Sequence, residues 1–327
     1  MKAKSLKTEN EIKSVCKCVI PKVGIVIVNY NGFEYSKDCI DSLGHVGYRN
    51  FLTIFVDNGS TDGSGDMIRS LYKDTIQIVS LPVNLGVTGG NNAGIDYALK
   101  NGCDYVLFLN NDTIVEPYFL ARIIETSLIN GVTLVVPKIV CHLDPSRLDH
   151  WIGEEYDWWI GRPKGHRTYP LDQPQLNIRS EIKVASTCCL LVPIKVIQSI
   201  GGMDENYFMY FDDADFTIRA VNAGYRIMYE PEAIIYHKCN MTTSNKQPSF
   251  FEYYLINRNI FYFYRKLCGH YVPKIYFLSQ SITRMLYHYI KAYVWNDPRL
   301  RKVIKITFKD ILNKRMGVLP KAFYEGN

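Results

Sequence analysis

The amino-acid sequence predicts an α/β protein with a mostly parallel central sheet flanked by helices, followed by a helical C-terminal extension. Short apolar runs alternate with segments that fit helices, and this arrangement gives parallel strands joined by right-handed crossovers. From about residue 250 the pattern changes to apolar residues at three- and four-residue steps, which is typical of amphipathic helices. The 327 residues, 47% of them hydrophobic, are enough to bury a sizeable core.

The alternation is clearest in the first third of the chain. Four mainly apolar segments are too short for typical helices but fit strands, and the one at 105–109 fits a strand that is buried on both faces. They predict strands at 23–30, 51–57, 76–81 and 105–109, with helices at 35–43, 67–72 and 91–100 between them.

The pattern breaks at residues 141–180, which combine Trp151, Trp158 and Trp159 with several Gly and Pro. We expect an irregular excursion here, and because long loops in compact domains are usually functional or disordered, it is a candidate cover for an active site. Regular structure should return with a strand at 184–192, helices at 194–200 and 216–223, and a strand at 233–236.

The charge is distributed unevenly. The net charge is +6, but residues 251–327 hold 14 Lys and Arg against 4 Asp and Glu, and the first 22 residues hold 6 Lys against 2 Glu. An acidic body with basic ends does not fit a nucleic-acid groove, so we expect no nucleic-acid partner. Lys302, Lys305 and Lys309 line one face of the last predicted helix, which is either a solvated face on a packed helix or a surface that docks on an anionic membrane.

The cysteines and the N-terminus indicate the compartment. The nine Cys form no C-x-x-C pair and no zinc-type spacing, which fits a reducing environment. The Lys-rich N-terminus lacks the apolar core of a signal peptide, and no apolar run reaches the roughly 20 residues that span a bilayer. We therefore expect a cytoplasmic protein, peripheral on the inner face of the plasma membrane if the basic end docks there.

The strand at 105–109 ends in the polar residues Asn110, Asn111 and Asp112. Ligands of open α/β sheets bind at the carboxyl ends of the strands. One carboxylate beside amide oxygens suits Mg²⁺ or Mn²⁺, which take further oxygen ligands from water and substrate phosphates. The alternative is a simple Asn/Asp turn.

Two further strand ends carry candidate nucleotide contacts. Asp57 closes the second strand, where an acidic residue can bind a base or ribose. Residues 84–94 are rich in Gly and Asn, and a helix that starts nearby would offer free N–H groups to a diphosphate. The alternatives are an Asx turn at Asp57 and a plain helix-entry loop at 84–94. No G-x-G-x-x-G or Walker motif is present.

Three carboxylates, Asp212, Asp213 and Asp215, precede the predicted helix at 216–223. A helix N-terminus favours one or two acidic residues. Three so close together raise each other's pKa, which suits a general base near neutral pH. His237 follows a strand-like segment and is either a metal or phosphate ligand or a structural histidine.

In combination, these motifs make the chain resemble the inverting family 2 glycosyltransferases of the GT-A fold, especially the bacterial rhamnosyltransferase-like branch. The resemblance covers about residues 23–240 and continues at Arg258 and Asn259. It rests on the segments 25–32, 56–62, 84–94, 107–113 and 202–215, which follow one another in the family's order.

The resemblance implies a role for each candidate residue. Asp213 falls at the position of the catalytic base, with Asp212 and Asp215 supporting the acceptor side, while Asp112 and His237 would hold Mn²⁺ or Mg²⁺. The nucleotide side would comprise Val28, Tyr30, Asp57, Asn84, Gly86, Gly90, Asn91, Asn110 and Asn111. The partners implied are a UDP- or dTDP-sugar and a glycan or polyprenyl-linked acceptor.

The resemblance also implies a division of the chain. Residues 1–22 would form a basic N-terminal segment, 23–245 the GT-A catalytic domain, and 246–327 a basic, aromatic-rich helical region. Within the catalytic domain, 23–115 would bind the nucleotide sugar and 116–245 the acceptor. Thr187, Cys188 and Cys189 depart from the family's Gly-containing acceptor-side segment, which leaves the acceptor open.

Two other functions remain as alternatives. A sugar-nucleotide nucleotidyltransferase would need a basic, Gly-rich loop after the first strand, where residues 29–33 contain neither Lys nor Arg. A non-catalytic sugar-nucleotide-binding protein would be favoured by the loss of Asp112 or Asp213, and both are present.

Overall fold

The structure is a computed structural model that describes residues 20–131, 133–149, 152–159, 162–166, 174–238, 250–267, 274–294 and 296–319. Most of the basic N-terminal segment, Trp151 and residues 239–249 at the predicted domain border lie outside these ranges.

A parallel half-sheet forms the first part of the fold. It consists of β1 (Val23–Asn29), β2 (Phe51–Asn58), β3 (Gln77–Leu81) and β4 (Tyr105–Leu109), in the order β3-β2-β1-β4. β1 runs in register with β2 from Val23 opposite Phe51 to Asn29 opposite Asp57. All four strands therefore end at the same edge, as the sequence predicts.

The second half of the sheet is mixed. β11 (Cys189–Pro193) runs antiparallel to both β4 and β6 (Leu134–Cys141), while β12 (Ile227–His237) runs parallel to β6. β5 (Thr113–Val115) and β9 (Ser180–Ile182) pair antiparallel with β12. This pairing places Thr113, directly after Asp112, opposite His237.

Helices cover the sheet and bury its apolar residues in one large core. They are α1 (Phe33–Leu43), α2 (Ser64–Tyr72), α3 (Gly86–Lys100), α4 (Phe119–Ile129), α5 (Ile194–Ile200) and α6 (Asp212–Asn222). α3 begins five residues before its predicted start at 91. Its glycines pack against β1: a Cβ on Gly90 would lie 2.5 Å from Val28 Cγ1, and one on Gly94 would lie 2.2 Å from Val26 Cγ1.

The excursion at 141–180 is more regular than the sequence predicts. β7 (Ile152–Asp157) pairs with β8 (Arg162–His166) and with β10 (Val184–Ala185) in a small antiparallel sheet. The strand predicted at 184–192 is therefore two strands in different sheets, separated by a turn in which the Cys188 N–H donates to Ser186 Oγ. Trp158 stacks on Phe263 with ring centroids 5.8 Å apart, so this tryptophan covers a core cluster.

Three helices follow β12 along the chain: α7 (Phe250–Leu267), α8 (Lys274–Val294) and α9 (Pro298–Leu312). Tyr254 on α7 donates to Asp310 on α9, and α9 buries Val303 and Ile304 between the helices. Tyr289 of α8 packs against this cluster, whereas Ile282, Leu286 and Tyr293 of the same helix are exposed. None of the helices in the described ranges is long and apolar enough to cross a membrane.

Candidate functional site

A buried polar network ties the ends of the parallel strands together. Asn29, at the end of β1, has no exposed surface, and its amide donates to Ser60 Oγ (3.0 Å) and Ser64 Oγ (2.9 Å). Its carbonyl oxygen accepts from Ser36 Oγ (2.9 Å) and from the Asn111 amide (3.3 Å). The Asn111 amide, which also donates to Ser36 Oγ at 3.0 Å, is thus bound inside the fold, where it fixes the turn after β4.

The turn after β4 brings Asp112 against His237 and, through it, Asp149. Asp112 Oδ1 lies 3.1 Å from His237 Nε2, and Asp149 Oδ2 bonds to the other ring nitrogen, Nδ1. The main chain supports the pair, because the Lys238 N–H donates to the Asp112 carbonyl at 2.8 Å. Asp149 reaches the ring from the segment that folds back beside β6, where its N–H donates to the Ile139 carbonyl.

This centre fits a divalent cation bound by one carboxylate and one imidazole. Adjacent ligands of an octahedral ion with metal–oxygen bonds of 2.0–2.1 Å lie about 3 Å apart, which is the spacing of Asp112 Oδ1 and His237 Nε2. A carboxylate on the other imidazole nitrogen is the usual means of orienting a metal-binding histidine. Throughout the described ranges, no three His, Cys, Asp or Glu side chains form a metal-holding cluster, so the remaining ligands would be water and substrate oxygens.

The charge of His237 depends on its two carboxylate neighbours. Burial alone would lower the pKa of His237, but hydrogen bonds to Asp112 and Asp149 outweigh it and raise the pKa to about 9. A cation at Nε2 would compete with the proton held there, because imidazole binds metals in its neutral form.

Of the residues expected on the nucleotide side, Val28, Tyr30 and Asp57 lie at the ends of β1 and β2, whereas Gly90 and Asn91 lie within α3. Tyr30 is exposed and Val28 is partly buried beside α3. Asp57 accepts from the Ser60 N–H at 3.1 Å, and a Cβ on Gly65 would lie 2.0 Å from its Oδ2, so the start of α2 sits directly on this carboxylate. The arrangement includes the Asx-type turn that was the alternative interpretation of Asp57.

The start of α3 is capped by protein groups. Asn84 Oδ1 accepts from the Gly86 N–H (2.8 Å) and from the buried Asn58 amide (3.1 Å), while Asn58 Oδ1 accepts from the Leu85 N–H (3.0 Å). The sequence-based expectation of free N–H groups for a diphosphate is therefore wrong for Leu85 and Gly86. Gly86 has a φ of 75° and touches the Phe208 carbonyl, which its missing Cβ permits.

Asn91 and its neighbour Asn92 join α3 to the acidic motif. The Asn91 amide is buried and lies 3.4 Å from Met203 Sδ. Asn92 donates to the Met203 carbonyl at 2.9 Å and accepts from the Met203 N–H at 2.8 Å. These bonds fix Met203, in the segment that leads to Asp212, against α3.

The three acidic residues lie in the first turn of α6, where burial distinguishes them. Asp212 is buried, and this burial, together with the charge of Asp213, raises its pKa to about 8. Asp213 is partly exposed and its Oδ1 accepts from the Ala214 N–H at 2.7 Å. The raised pKa favours the protonated form of Asp212 near neutral pH, beside the more exposed carboxylate of Asp213.

Asp215 is an anchor within the fold. Its side chain has no exposed surface and binds Arg219 at 2.7 Å, Lys266 at 2.8 Å and Tyr207 OH at 3.2 Å. Any support that it gives to an acceptor is consequently indirect, through the position of α6.

Sequence reasoning missed Asp149 and Asn58. Asp149 lies 88 positions from His237 and inside the irregular-looking segment, so no local pattern marks it. Asn58 directly follows Asp57 at a strand end, where Asx residues are common and therefore attract no attention. Its signal would have been the need for a side chain that caps the turn at residues 84–86.

The fold has a solved relative. The crystal structure of GalNAc-T7 with UDP, GalNAc and Mn²⁺ superposes with a TM-score of 0.56 at 13% sequence identity, over 75% of this chain and 50% of that one. At this identity the likeness shows the fold alone, and it confirms the GT-A architecture expected from the sequence.

Curated sequences show closer relatives. The N-acetylglucosaminyl-diphospho-decaprenol L-rhamnosyltransferase of Mycobacterium tuberculosis is 41% identical over 243 residues, which cover 67% of this chain and 76% of that enzyme. The dTDP-rhamnosyl transferase RfbF of Shigella flexneri is 22% identical over 65% of this chain and 67% of its own. Several other relatives are longer, and the match spans 24% to 64% of their length.

The sequence profile of glycosyl transferase family 2 matches residues 24–198, which is more than half of the chain. This match, with the 41% identity to the mycobacterial enzyme over most of that enzyme's length, establishes that the chain belongs to glycosyl transferase family 2.

Proposed function

We propose that the protein is an inverting, metal-dependent glycosyltransferase. It would move a hexose or deoxyhexose from a UDP- or dTDP-sugar to a hydroxyl of a glycan or lipid-linked acceptor in cell-surface polysaccharide synthesis. The observation that carries the proposal is the Asp112–His237 pair at the strand ends, with its 3.1 Å spacing, in a domain that also holds the acidic pair at the start of α6. The rhamnosyltransferase relatives support a dTDP-sugar as the first donor to test.

Each group has one task in this reaction. Asp112 and His237 would hold Mn²⁺ or Mg²⁺, whose charge stabilises a departing nucleoside diphosphate. Asp213 accepts the proton of the acceptor hydroxyl. Asp212 beside it is buried, and its pKa of about 8 favours its protonated form near neutral pH. The acceptor oxygen forms a bond to the anomeric carbon as the bond to the diphosphate oxygen breaks, and the diphosphate leaves with the electron pair. Attack from the opposite face inverts the configuration, so one base suffices.

Product analysis separates this proposal from its alternatives. The purified protein would be incubated with Mn²⁺ or Mg²⁺ and a panel of UDP- and dTDP-sugars, including dTDP-rhamnose, with and without added pyrophosphate, and the products identified by mass spectrometry. Release of UDP or dTDP that disappears in Asp112→Ala supports transfer. Consumption of pyrophosphate would instead identify a nucleotidyltransferase, and absence of both reactions would leave a binding protein.

We also propose that the C-terminal helices dock on an anionic membrane, which would bring the enzyme to a lipid-linked acceptor. α8 and α9 form an apolar groove of about 510 Å³, lined by Leu286, Tyr289, Phe308 and Leu312 with Lys305 and Lys309. Both lysines are exposed, and Phe308 and Leu312 are more than half exposed beside them. Exposed apolar side chains next to cationic ones match an anionic lipid surface.

Vesicle binding tests this surface. Removal of α9 would also unpack Tyr254, so substitution is the sharper perturbation. Lys305→Gln with Lys309→Gln should weaken binding to phosphatidylglycerol-containing vesicles about 30-fold, since each lysine near such a surface contributes roughly 1 kcal/mol. Lys100→Gln with Lys195→Gln, at exposed lysines of the catalytic domain, is the matched control. Equal losses in both double variants, or equal binding to neutral vesicles, would contradict the docking surface.

A further inference from the structure

The segment that leads into the acidic pair has an unusual backbone. Phe208, Tyr210 and Phe211 have φ angles of 67°, 66° and 69°, so three non-Gly residues in four adopt the left-handed region. Bulky residues rarely adopt this conformation, and they keep it only where the surroundings hold them there. Asp212 and Asp213 follow directly, so the position of both carboxylates depends on whatever holds this segment.

Side chains on one face of α7 keep this segment in place. The Asn259 amide, with no exposed surface, donates to the carbonyls of Tyr207 (2.8 Å), Met209 (2.7 Å) and Tyr210 (3.0 Å). The two amide hydrogens are therefore shared among three carbonyl groups, all within the segment 206–211 that contains the left-handed residues. Few side chains satisfy so much irregular backbone at once.

Arg258 completes the contact. Its guanidinium, also buried, donates to the carbonyls of Tyr207 (2.9 Å) and Gly317 (3.0 Å), and its Nε donates to Asn259 Oδ1 (3.0 Å). The Nε bond directs the Asn259 amide hydrogens toward the segment. Arg258 also joins the segment to the turn after α9, so the C-terminal helices and the acidic pair share one set of bonds.

The same face of α7 contacts the acidic motif along its length. Glu252 accepts from Tyr210 OH at 3.2 Å, Tyr262 donates to Asp204 at 2.8 Å, and Lys266 binds Asp204 and Asp215. With Asn259, these residues recur at intervals of seven, three and four positions, which places them on one side of the helix.

We propose that Arg258 and Asn259 are positioning residues that hold the left-handed segment 206–211 and thereby place Asp212 and Asp213 for proton transfer. The effect on catalysis rests on the proposed function, whereas the hydrogen bonds that fix the segment are a property of the fold. α7, which lies outside the residues matched by the family profile, would then be part of the catalytic apparatus.

Hydrogen exchange together with kinetics tests the proposal, and Asn257 offers a matched control. Asn257 is equally buried on α7, but its amide donates to Tyr253 in its own helix at 2.7 Å. Asn259→Ala should speed amide exchange in peptides covering 205–213, whereas Asn257→Ala should leave those peptides unchanged. With dTDP-rhamnose and Mn²⁺, Asn259→Ala should lower kcat about 100-fold, as expected for a misplaced catalytic group, while the Kd for dTDP changes less than about twofold.

A second variant keeps the test decisive if Asn259→Ala does not fold. Arg258→Lys retains the buried charge and Asn259 but loses the fork that reaches two carbonyls, and it should give the same exchange pattern to a smaller degree. Unchanged exchange at 205–213 in the folded variants, or equal kcat losses in Asn257→Ala and Asn259→Ala, would overturn the proposal. A wild type that releases no dTDP would contradict the proposed donor alone, because the exchange data still decide whether the segment is held.

Discussion

Replacement of Asp149 should weaken metal binding although Asp149 is not expected to touch the metal. Its carboxylate bonds to Nδ1 of His237 and so fixes which ring nitrogen faces Asp112. Loss of a carboxylate that orients a metal-binding histidine typically costs about 10- to 100-fold in metal affinity, or about 1.4–2.8 kcal/mol. The side chain of Asp149 is only 12% exposed, so water replaces it poorly and the upper part of this range applies to Asp149→Ala.

Calorimetric titration of Mn²⁺ in the presence of saturating dTDP measures this effect. Asp149→Asn keeps an acceptor for Nδ1 and should lose less affinity than Asp149→Ala. Asp112→Ala removes the carboxylate that is proposed to bind the ion directly and should lose more. Asp38→Asn is the matched control, because Asp38 binds Lys238, the residue after His237, at a more exposed site. Mn²⁺ affinity in Asp149→Ala equal to that of the wild type would refute the reasoning.

Two predictions concern the scaffold around the site. Gly90→Ala should cost about 1–3 kcal/mol of unfolding free energy, because the added Cβ overpacks against Val28. Gly47→Ala is the control and should cost much less, because the nearest contact of its added Cβ is at 3.7 Å. Equal urea midpoints of the two variants would contradict this prediction. Burial would raise the pKa of Asp204, but hydrogen bonds, that of Lys266 foremost, lower it from 3.8 to about 2. Its stabilising contribution should therefore be present above pH 4 and disappear as the pH falls from 4 to 2. The difference in urea midpoint between the wild type and Asp204→Asn should shrink over that interval. A constant difference would exclude this contribution.

The parallel half of the fold was predictable because its strands are short, mainly apolar segments that alternate with helical patterns. The strand at 105–109 was predicted with the bounds that it has, and its polar end led directly to Asp112. The start of α3 was missed because glycines usually indicate loops. In this helix Gly90 and Gly94 instead allow close packing against β1, a reason that only the neighbouring strand reveals.

The candidate site was predictable where one short segment carries several polar residues. The acidic motif is such a segment, yet its sequence could not distinguish a buried anchor, Asp215, from the more exposed Asp213, because burial depends on Lys266 and Arg219 elsewhere in the chain. Asp149 illustrates the same limit, since its role exists only after 88 residues have folded back to His237.

The most direct test of the central claim is single-turnover transfer by Asp213→Asn, with the donor that the wild type uses. The variant keeps the shape of the side chain but removes the carboxylate that is proposed to accept the hydroxyl proton. Transfer should fall by about 100- to 10,000-fold, while dTDP and Mn²⁺ bind within about twofold of the wild type. Transfer at the wild-type rate would show that Asp213 is not the base and would contradict the account.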